Sequence, residues 1–507
     1  MQTTRRSAGL LAALVGAATA LSAIACKTDL TAINTNPNSP TIAPATSLFT
    51  NATIALVRQF DGTGNTLSLG SLFAQHIAQA QYVEEDRGRL RLGDIDNAYT
   101  NAYITFLEDL QKIVEQGTAA KAPNTSGPAL VLQSFAFQNL TDLWGDIPYS
   151  DALKGDQVGG PLKPKYDAQK DIYYGVLKTL TDASTAMKGG TDAGLGSADP
   201  IFKGDAAKWV RFANSLRARM AMRLTKVDPS KADAELKAAF AAAGGVMTSN
   251  ADNATLAWPG DGVFDNPWSV TFSTRDDHRV SKTLLDTMNA LGDPRIKVYA
   301  QPTKNDPTKY VGLQNGLDNV AVAPFFNNTS RIGAIFYPGA TTYGTFGTAS
   351  GKRTPSVLMT FAEVSFLQAE AAERGIGGLS AGAAGGYYRA GVRASILQWG
   401  GTDAEADAYL ARPGVAYVGG ATGLQQIGLQ KWISLFSQGI EAWSEWRRTG
   451  NPVTVKMGPN AYPEVSQSPR RIPYPSNEQS VNADNLAAAV ARQGADLYST
   501  RIWWDKP

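Results

Sequence analysis

The sequence predicts a mainly α-helical protein of tetratricopeptide-like helix pairs, carrying one long irregular, loop-rich insertion at about residues 244–355. Three observations predict this. Apolar residues recur every three to four positions along most of the chain, the period of a helix with one buried face. The periodic runs come in twos joined by short turn-rich links, which suggests a stacked arrangement although no repeat consensus is visible. Between about 244 and 355 Gly, Pro, Asn and Thr become dense and no helical stripe persists except near 279–291. That block carries short strands at most.

Residues 1–25 form a leader. A basic start (Arg5, Arg6) precedes an apolar run from Ala8 to Ile24, too interrupted by Gly and Thr for a membrane span. Ala23-Ile24-Ala25-Cys26 resembles a bacterial lipobox, with Ala where Leu is usual three places before the cysteine. Cys26 is the only cysteine of the 507 residues, so lipidation at its thiol is the expected use of it. Two or three acyl chains hold a protein to a bilayer far more firmly than one, at roughly 0.8 kcal/mol per buried methylene. Residues 26–46 are polar and turn-rich, with Asn34, Asn36, Pro37, Asn38, Pro40 and Pro44, and read as a tether. A single domain over 47–507 follows.

Helices are expected at 46–60, 66–82, 95–116, 127–143, 168–187, 205–226, 230–243, 279–291, 356–374, 380–399 and 425–448. In the 168–187 helix Ile172, Val176, Leu180, Ala183 and Met187 form the stripe. In its partner Trp209, Phe212, Leu216, Met220 and Leu224 do, behind Asp205 as N-cap. Ser380 is the expected N-cap of 380–399. The stretch Leu429–Pro452 organises the chain. Leu429, Trp432, Ile433, Phe436, Ile440 and Trp443 fall on one stripe about a hundred degrees wide. Lys431, Ser434, Gln438, Glu441 and Glu445 take the other face. Arg447 and Arg448 occupy the last turn, and Gly450 and Pro452 stop the helix. Three tryptophans (Trp432, Trp443, Trp446) imply a helix clamped on several sides, with the arginines tied to neighbouring carboxylates. Residues 452–507 read as a Pro-rich excursion.

Charge and composition exclude several classes. With Arg5 and Arg6 assigned to the leader, the remaining chain carries 45 basic against 45 acidic side chains, which gives no electrostatic footprint for nucleic acid. Two histidines, His76 and His278, argue against histidine triads and histidine metal sites. Neither a metal cluster nor a cofactor motif is read. Gly347–Arg353 is one residue short of a phosphate loop and has Arg353 where Ser or Thr belongs. Gly378-Leu379-Ser380-Ala381-Gly382 spells a nucleophile elbow but follows a helix where that motif needs a strand. Asp94, Asp96 and Asn97 lack the remaining ligands of a calcium loop. Glu363 and Glu370 share a helix face and could do acid–base work on glycosides, but pairing with arginines is the simpler expectation.

The aromatics of the insertion are more informative. Trp258, Phe264 and Trp268 stand among Asp261, Asp265 and Asn266; Phe325, Phe326, Asn327 and Asn328 follow, then Tyr337, Tyr343 and Phe346. Sugars present flat C–H faces that stack on rings, and amides, carboxylates and guanidinium groups meet their hydroxyls. The competing reading is that these rings anchor a long loop to the helices.

Several motifs, in order, resemble the SusD/RagB family of nutrient-binding outer-membrane lipoproteins. They are the lipobox, Asn34-Thr35-Asn36-Pro37-Asn38-Ser39-Pro40, and Leu143-Trp144-Gly145-Asp146-Ile147-Pro148-Tyr149-Ser150. Lys203-Gly204-Asp205 with Lys208-Trp209, Ala362-Glu363-Val364 and Ala369-Glu370-Ala371 follow. Glu445-Trp446-Arg447-Arg448-Thr449-Gly450 and Arg471-Ile472 with Tyr474-Pro475 complete the series. The resemblance implies a SusD-like fold on the outer membrane, acting as a lid on a SusC-like TonB-dependent transporter. The ligand it implies is an oligosaccharide, or in some members a peptide. It points to two stretches as ligand surface: Gln79–Asn97, with Tyr82, Arg87 and Arg89, and Trp258–Arg275, with Trp258, Phe264, Asn266, Trp268 and Arg275. The rival reading is a helical glycosidase or lyase acting on the same polymer.

Overall fold

In the computed structural model, residues 43–62, 64, 69–338, 351–465 and 467–507 are described. Cys26, the leader and most of the tether lie outside them, as do Tyr343 and Phe346. Helix α1 (Ala45–Asp61) opens the fold. Next come α2 (Leu92–Asn101), a π turn over Ala102–Leu107, and α3 (Glu108–Ala119), which together cover the single helix expected at 95–116. Helices α4 (Pro123–Trp144), α5 (Gln169–Gly189), α6 (Ala206–Arg223) and α7 (Pro229–Phe240) follow, each packed on the one before it. Asp205 caps α6, its carboxylate accepting the Lys208 N–H at 3.1 Å. The predicted stripes of α5 and α6 are buried, and α4 is buried almost all round, as befits the central helix of the stack.

The insertion holds α8 (Pro267–Phe272), α9 (Lys282–Leu291) and short strands, none longer than four residues. Strand β1 (Ile77–Gln79) pairs antiparallel with β5 (His278–Val280), and β4 (Ala254–Leu256) with β6 (Ser356–Met359). Between them in sequence, β2 (Ile147–Pro148) pairs with β3 (Tyr166–Asp167). The C-terminal half adds α10 (Phe361–Glu373), α11 (Ala384–Gln398), α12 (Asp403–Leu410), α13 (Gly420–Ser434), α14 (Gly439–Thr449) and α15 (Ala483–Gln493).

Four expectations are corrected. The helix expected at 66–82 is, where described, a short helical turn at Ser71–Phe73 followed by β1; a short, fully buried apolar run looks alike for helix and strand. The helix over 425–448 is two helices, broken at Leu435–Gln438 where Ser437 has φ +73°. Ser380 makes no capping bond, and a 3₁₀ turn precedes α11. The tail contains α15, whose Leu486 and Ala489 are buried. Asp146, beside the helix-ending Gly145, bonds well beyond its own turn. It accepts the Gln169 N–H at 2.8 Å and the Arg492 Nε–H at 2.7 Å, so it ties α5 and α15 together.

The polar face read on Leu429–Pro452 is buried too. Arg223 reaches Glu441 at 2.6 Å and Glu445 at 3.1 Å, and Lys431 reaches Glu445 at 3.0 Å. Arg219 grips Glu363 through two bonds, at 2.7 and 2.6 Å. Every one of these side chains is buried, which is tolerable only because each charge has its opposite within bonding distance. The expected clamp holds as well: the indole N–H of Trp432 donates to the Ala74 carbonyl and that of Trp443 to the Pro469 carbonyl, both at 2.9 Å.

Candidate functional site: an exposed tyrosine face on a pinned loop

After β1 the chain leaves the core, and the Ala80 N–H donates to the Asp277 carbonyl at 2.6 Å. The loop beyond is pinned from inside by Asp86. Its carboxylate accepts the Gln79 N–H (3.2 Å), the Gly316 N–H (3.0 Å) and the Asn315 side-chain amide (2.7 Å). Gln79 returns the contact by accepting the Asp86 N–H at 3.0 Å. Burial pushes the Asp86 carboxyl up to about 6, partly offset by these donors. Asn315 also donates to the Ile77 carbonyl at 2.8 Å, so the loop and the 313–317 segment share one buried frame.

On the outside of this frame stands Tyr82. Its backbone is left-handed, φ +53°, a region that costs a non-glycine residue on the order of 1 kcal/mol or more and that clusters at ligand sites. The side chain is 53% exposed, and the Arg275 guanidinium lies 5.3 Å from the ring centre. Arg275 is itself exposed and pairs with Asp277 at 3.5 Å. Five residues past Tyr82, Arg87 donates to the Asn460 carbonyl (2.7 Å) and the Tyr462 hydroxyl (3.2 Å). Arg89 bonds Glu464 at 2.5 Å, and the guanidinium carbons of Arg87 and Arg89 lie 4.1 and 3.6 Å from the centre of the Tyr462 ring. Across the loop, Phe325 is 46% exposed, and Phe326 packs over Arg279, which Asp276 holds at 2.9 Å.

The eight residues read as ligand surface therefore divide. Tyr82 and Arg275 meet on this face, while Arg87 and Arg89, further along the same loop, gather instead around Tyr462 and Glu464. Trp258 and Trp268, 4% and 1% exposed, are core residues: their indole N–H groups donate to the Ser356 hydroxyl (2.9 Å) and the Asp61 carbonyl (2.8 Å). Asn266 is buried, caps α8 by accepting the Trp268 and Ser269 N–H groups, and donates to the Thr354 carbonyl at 2.8 Å. Phe264 is half-buried, with Arg58 at 5.5 Å from its ring and 5.8 Å from that of Trp258. Trp258, Phe264 and Trp268 anchor the insertion to β6 and α1, Asn266 ties it to Thr354 just before β6, and Trp258, Asn266 and Trp268 are buried. Sequence reading missed Tyr462 and Glu464; their only signal was a ring and an acid in a turn-rich tail.

Glu363 and Glu370 are buried in pairs with Arg219 and Arg448, so neither faces a cleft where a polymer could lie. Both histidines are neutral. Burial pulls His76 down to about 3 and His278 down to about 4. Among the described residues no helix is long and apolar enough to cross a membrane.

A stack of helices displaying a rigidly framed loop of rings and arginines defines a binding scaffold, and its relatives say which. A family model described as starch-binding and associating with the outer membrane matches residues 37–475, so this chain belongs to the SusD-like family. Solved structures agree. A chitin-binding protein is 29% identical with a TM-score of 0.79, over 92% of this chain and 100% of that one. A chitin-binding SusD homolog from Flavobacterium johnsoniae is 26% identical with a TM-score of 0.78, over 90% and 98%. A SusD homolog from Bacteroides uniformis is 27% identical with a TM-score of 0.76, over 91% and 99%. No curated protein matches.

Proposed function

We propose that this protein binds an oligosaccharide on the Tyr82 face and delivers it, as a lid, to a SusC-like TonB-dependent transporter, while a lipid on Cys26 holds it at the outer membrane. The observation that carries the reading is the half-exposed Tyr82 ring, held in a strained backbone by a buried frame and flanked by Arg275. An aromatic platform takes the apolar face of a pyranose, and arginines beside it donate to ring hydroxyls. Family membership supports a carbohydrate ligand and a transporter partner. Two relatives are described as chitin-binding, which makes β-linked N-acetylglucosamine oligomers the first ligands to test.

The test is calorimetric titration of the chain with chito-oligosaccharides and malto-oligosaccharides of equal length, with released reducing ends assayed in the same samples. The reading expects saturable binding of at least one series and no release. Hydrolysis that disappears on changing Glu363 or Glu370 would favour the enzyme instead.

A further inference from the structure

A second concavity lies elsewhere on the chain, at the C-terminal end of α11. It is a cavity of about 560 Å³, inside the range of about 300–1,000 Å³ usual for small-molecule sites. Among the described residues its polar lining is Asn250, Asn253, Thr255, Arg353, Gln398 and Trp399, set against Val298, Ile335, Val357 and Leu397. None of these residues belongs to the Tyr82 face.

Its chemistry is specific in three ways. Trp399 is a half-buried ring fixed edge-on by Tyr299 (6.0 Å, 89°) and by Phe336 (6.1 Å, 60°), so it is oriented before any ligand arrives. Asn250 and Asn253 are locked by backbone bonds: Asn250 donates to the Ala394 carbonyl at 2.9 Å, and Asn253 accepts the Phe361 N–H at 2.7 Å. The neighbouring Lys352 is neutralised by Asp265 at 3.1 Å. Arg353 is not neutralised. Its Nε–H donates to the Pro259 carbonyl at 3.1 Å, and among the described residues no carboxylate stands within 4.0 Å of it. With Asn250 and Asn253 engaged by the protein, Asn253 also donating to Asn250 at 3.5 Å, a fixed ring, the lining Gln398 amide and a guanidinium lacking a counter-ion match a sugar ring that brings its own carboxylate.

We infer that the cavity bounded by Trp399, Gln398 and Arg353 is a second binding site, taking a small hydroxylated carboxylate of the hexuronate class. It is independent of the Tyr82 reading, since the ligand and the residues differ.

The test titrates the full chain in detergent with D-glucuronate and, separately, D-glucose, following ligand saturation-transfer NMR and calorimetry. Glucuronate is expected to saturate and to bind at least tenfold more tightly than glucose. Arg353→Gln is expected to bring glucuronate down to the glucose level. Gln398→Ala is expected to weaken both sugars. Equal affinity for the two sugars, absence of saturation by glucuronate, or wild-type affinity in Arg353→Gln would overturn the inference. Arg353 and Gln398 are not core residues, so their variants should keep the wild-type circular dichroism and unfolding midpoint. Chito-oligosaccharide binding, read on Tyr82 variants, can stand or fall separately.

Discussion

Arg448 and Glu370 lie face to face in the core, joined by two bonds of 2.8 and 2.5 Å, and Arg448 also reaches Glu445 at 2.5 Å. The pair joins α14 to α10, elements far apart in sequence. The guanidinium and the lysine ammonium nearby hold the Glu445 carboxyl well below its usual range against the opposing pull of burial. Removing one partner leaves an uncompensated buried charge. Arg448→Met should therefore cost about 3–5 kcal/mol, while combining it with Glu370→Leu should recover part of the loss. Denaturant unfolding midpoints of the two variants and the wild type check this. A single variant as stable as the wild type would show the pair to be dispensable.

Asp61 gives a pH dependence of defined sign. Burial pushes its carboxyl up to about 8 from 3.8, although the Ser356 hydroxyl donates to it. The unfolded chain loses this proton near pH 3.8 and the folded chain only near 8. The contribution to stability is therefore whole below 3.8 and declines as pH rises to 8. Asp61→Asn removes that decline. From pH 4 to pH 8 the variant should gain on the wild type by an amount on the order of 5 kcal/mol, at about 1.36 kcal/mol per pH unit. Unfolding midpoints at the two pH values measure it, and a constant difference would contradict it.

Trp268 is a packing residue, with its ring 4.7 Å from that of Phe336 and 6.1 Å from that of Phe436. Trp268→Ala should destabilise by about 3–5 kcal/mol. At a temperature where the variant is still folded, its oligosaccharide affinity should stay near that of the wild type. Lost binding at unchanged stability would return this residue to the ligand surface.

Cys26→Ser should release the protein from the outer-membrane fraction, because the acyl chains that the lipobox resemblance implies would have no attachment. Fractionation with labelled fatty acid reads this directly. Label retained on the variant would place acylation elsewhere.

The helix pairs were legible because a stripe such as Ile172, Val176, Leu180 and Met187 is a local signal. The ion pairs within the stack were legible only by half. Glu363, Glu370 and Arg448 were expected to find ionic partners and do; Arg447, expected beside carboxylates, instead donates to the Asp142 and Arg470 carbonyls, and Glu441, Glu445 and Lys431 read only as the polar face of their helix. Arg223, which pairs with Glu441 and Glu445, comes from α6, 218 and 222 residues earlier in the chain. A separation of 375 residues hid Tyr462 and Glu464 from any reading of Arg87 and Arg89. Composition also cannot say which way a loop ring turns. Tyr82 and Trp268 both stand in polar, turn-rich stretches, yet one is half exposed on a left-handed backbone and the other donates its N–H into the core. The family resemblance reached further than periodicity because it used the order of many weak motifs at once.

The central claim is that the Tyr82 face holds the sugar. The direct measurement is calorimetric affinity of the Tyr82→Ala, Arg275→Ala double variant for the oligosaccharide that the wild type binds most tightly, with unfolding midpoints recorded in parallel. Both side chains are more than half exposed, so the midpoint should not move. The account predicts that affinity falls at least tenfold, about 1.4 kcal/mol. Unchanged affinity in an equally stable double variant would contradict it.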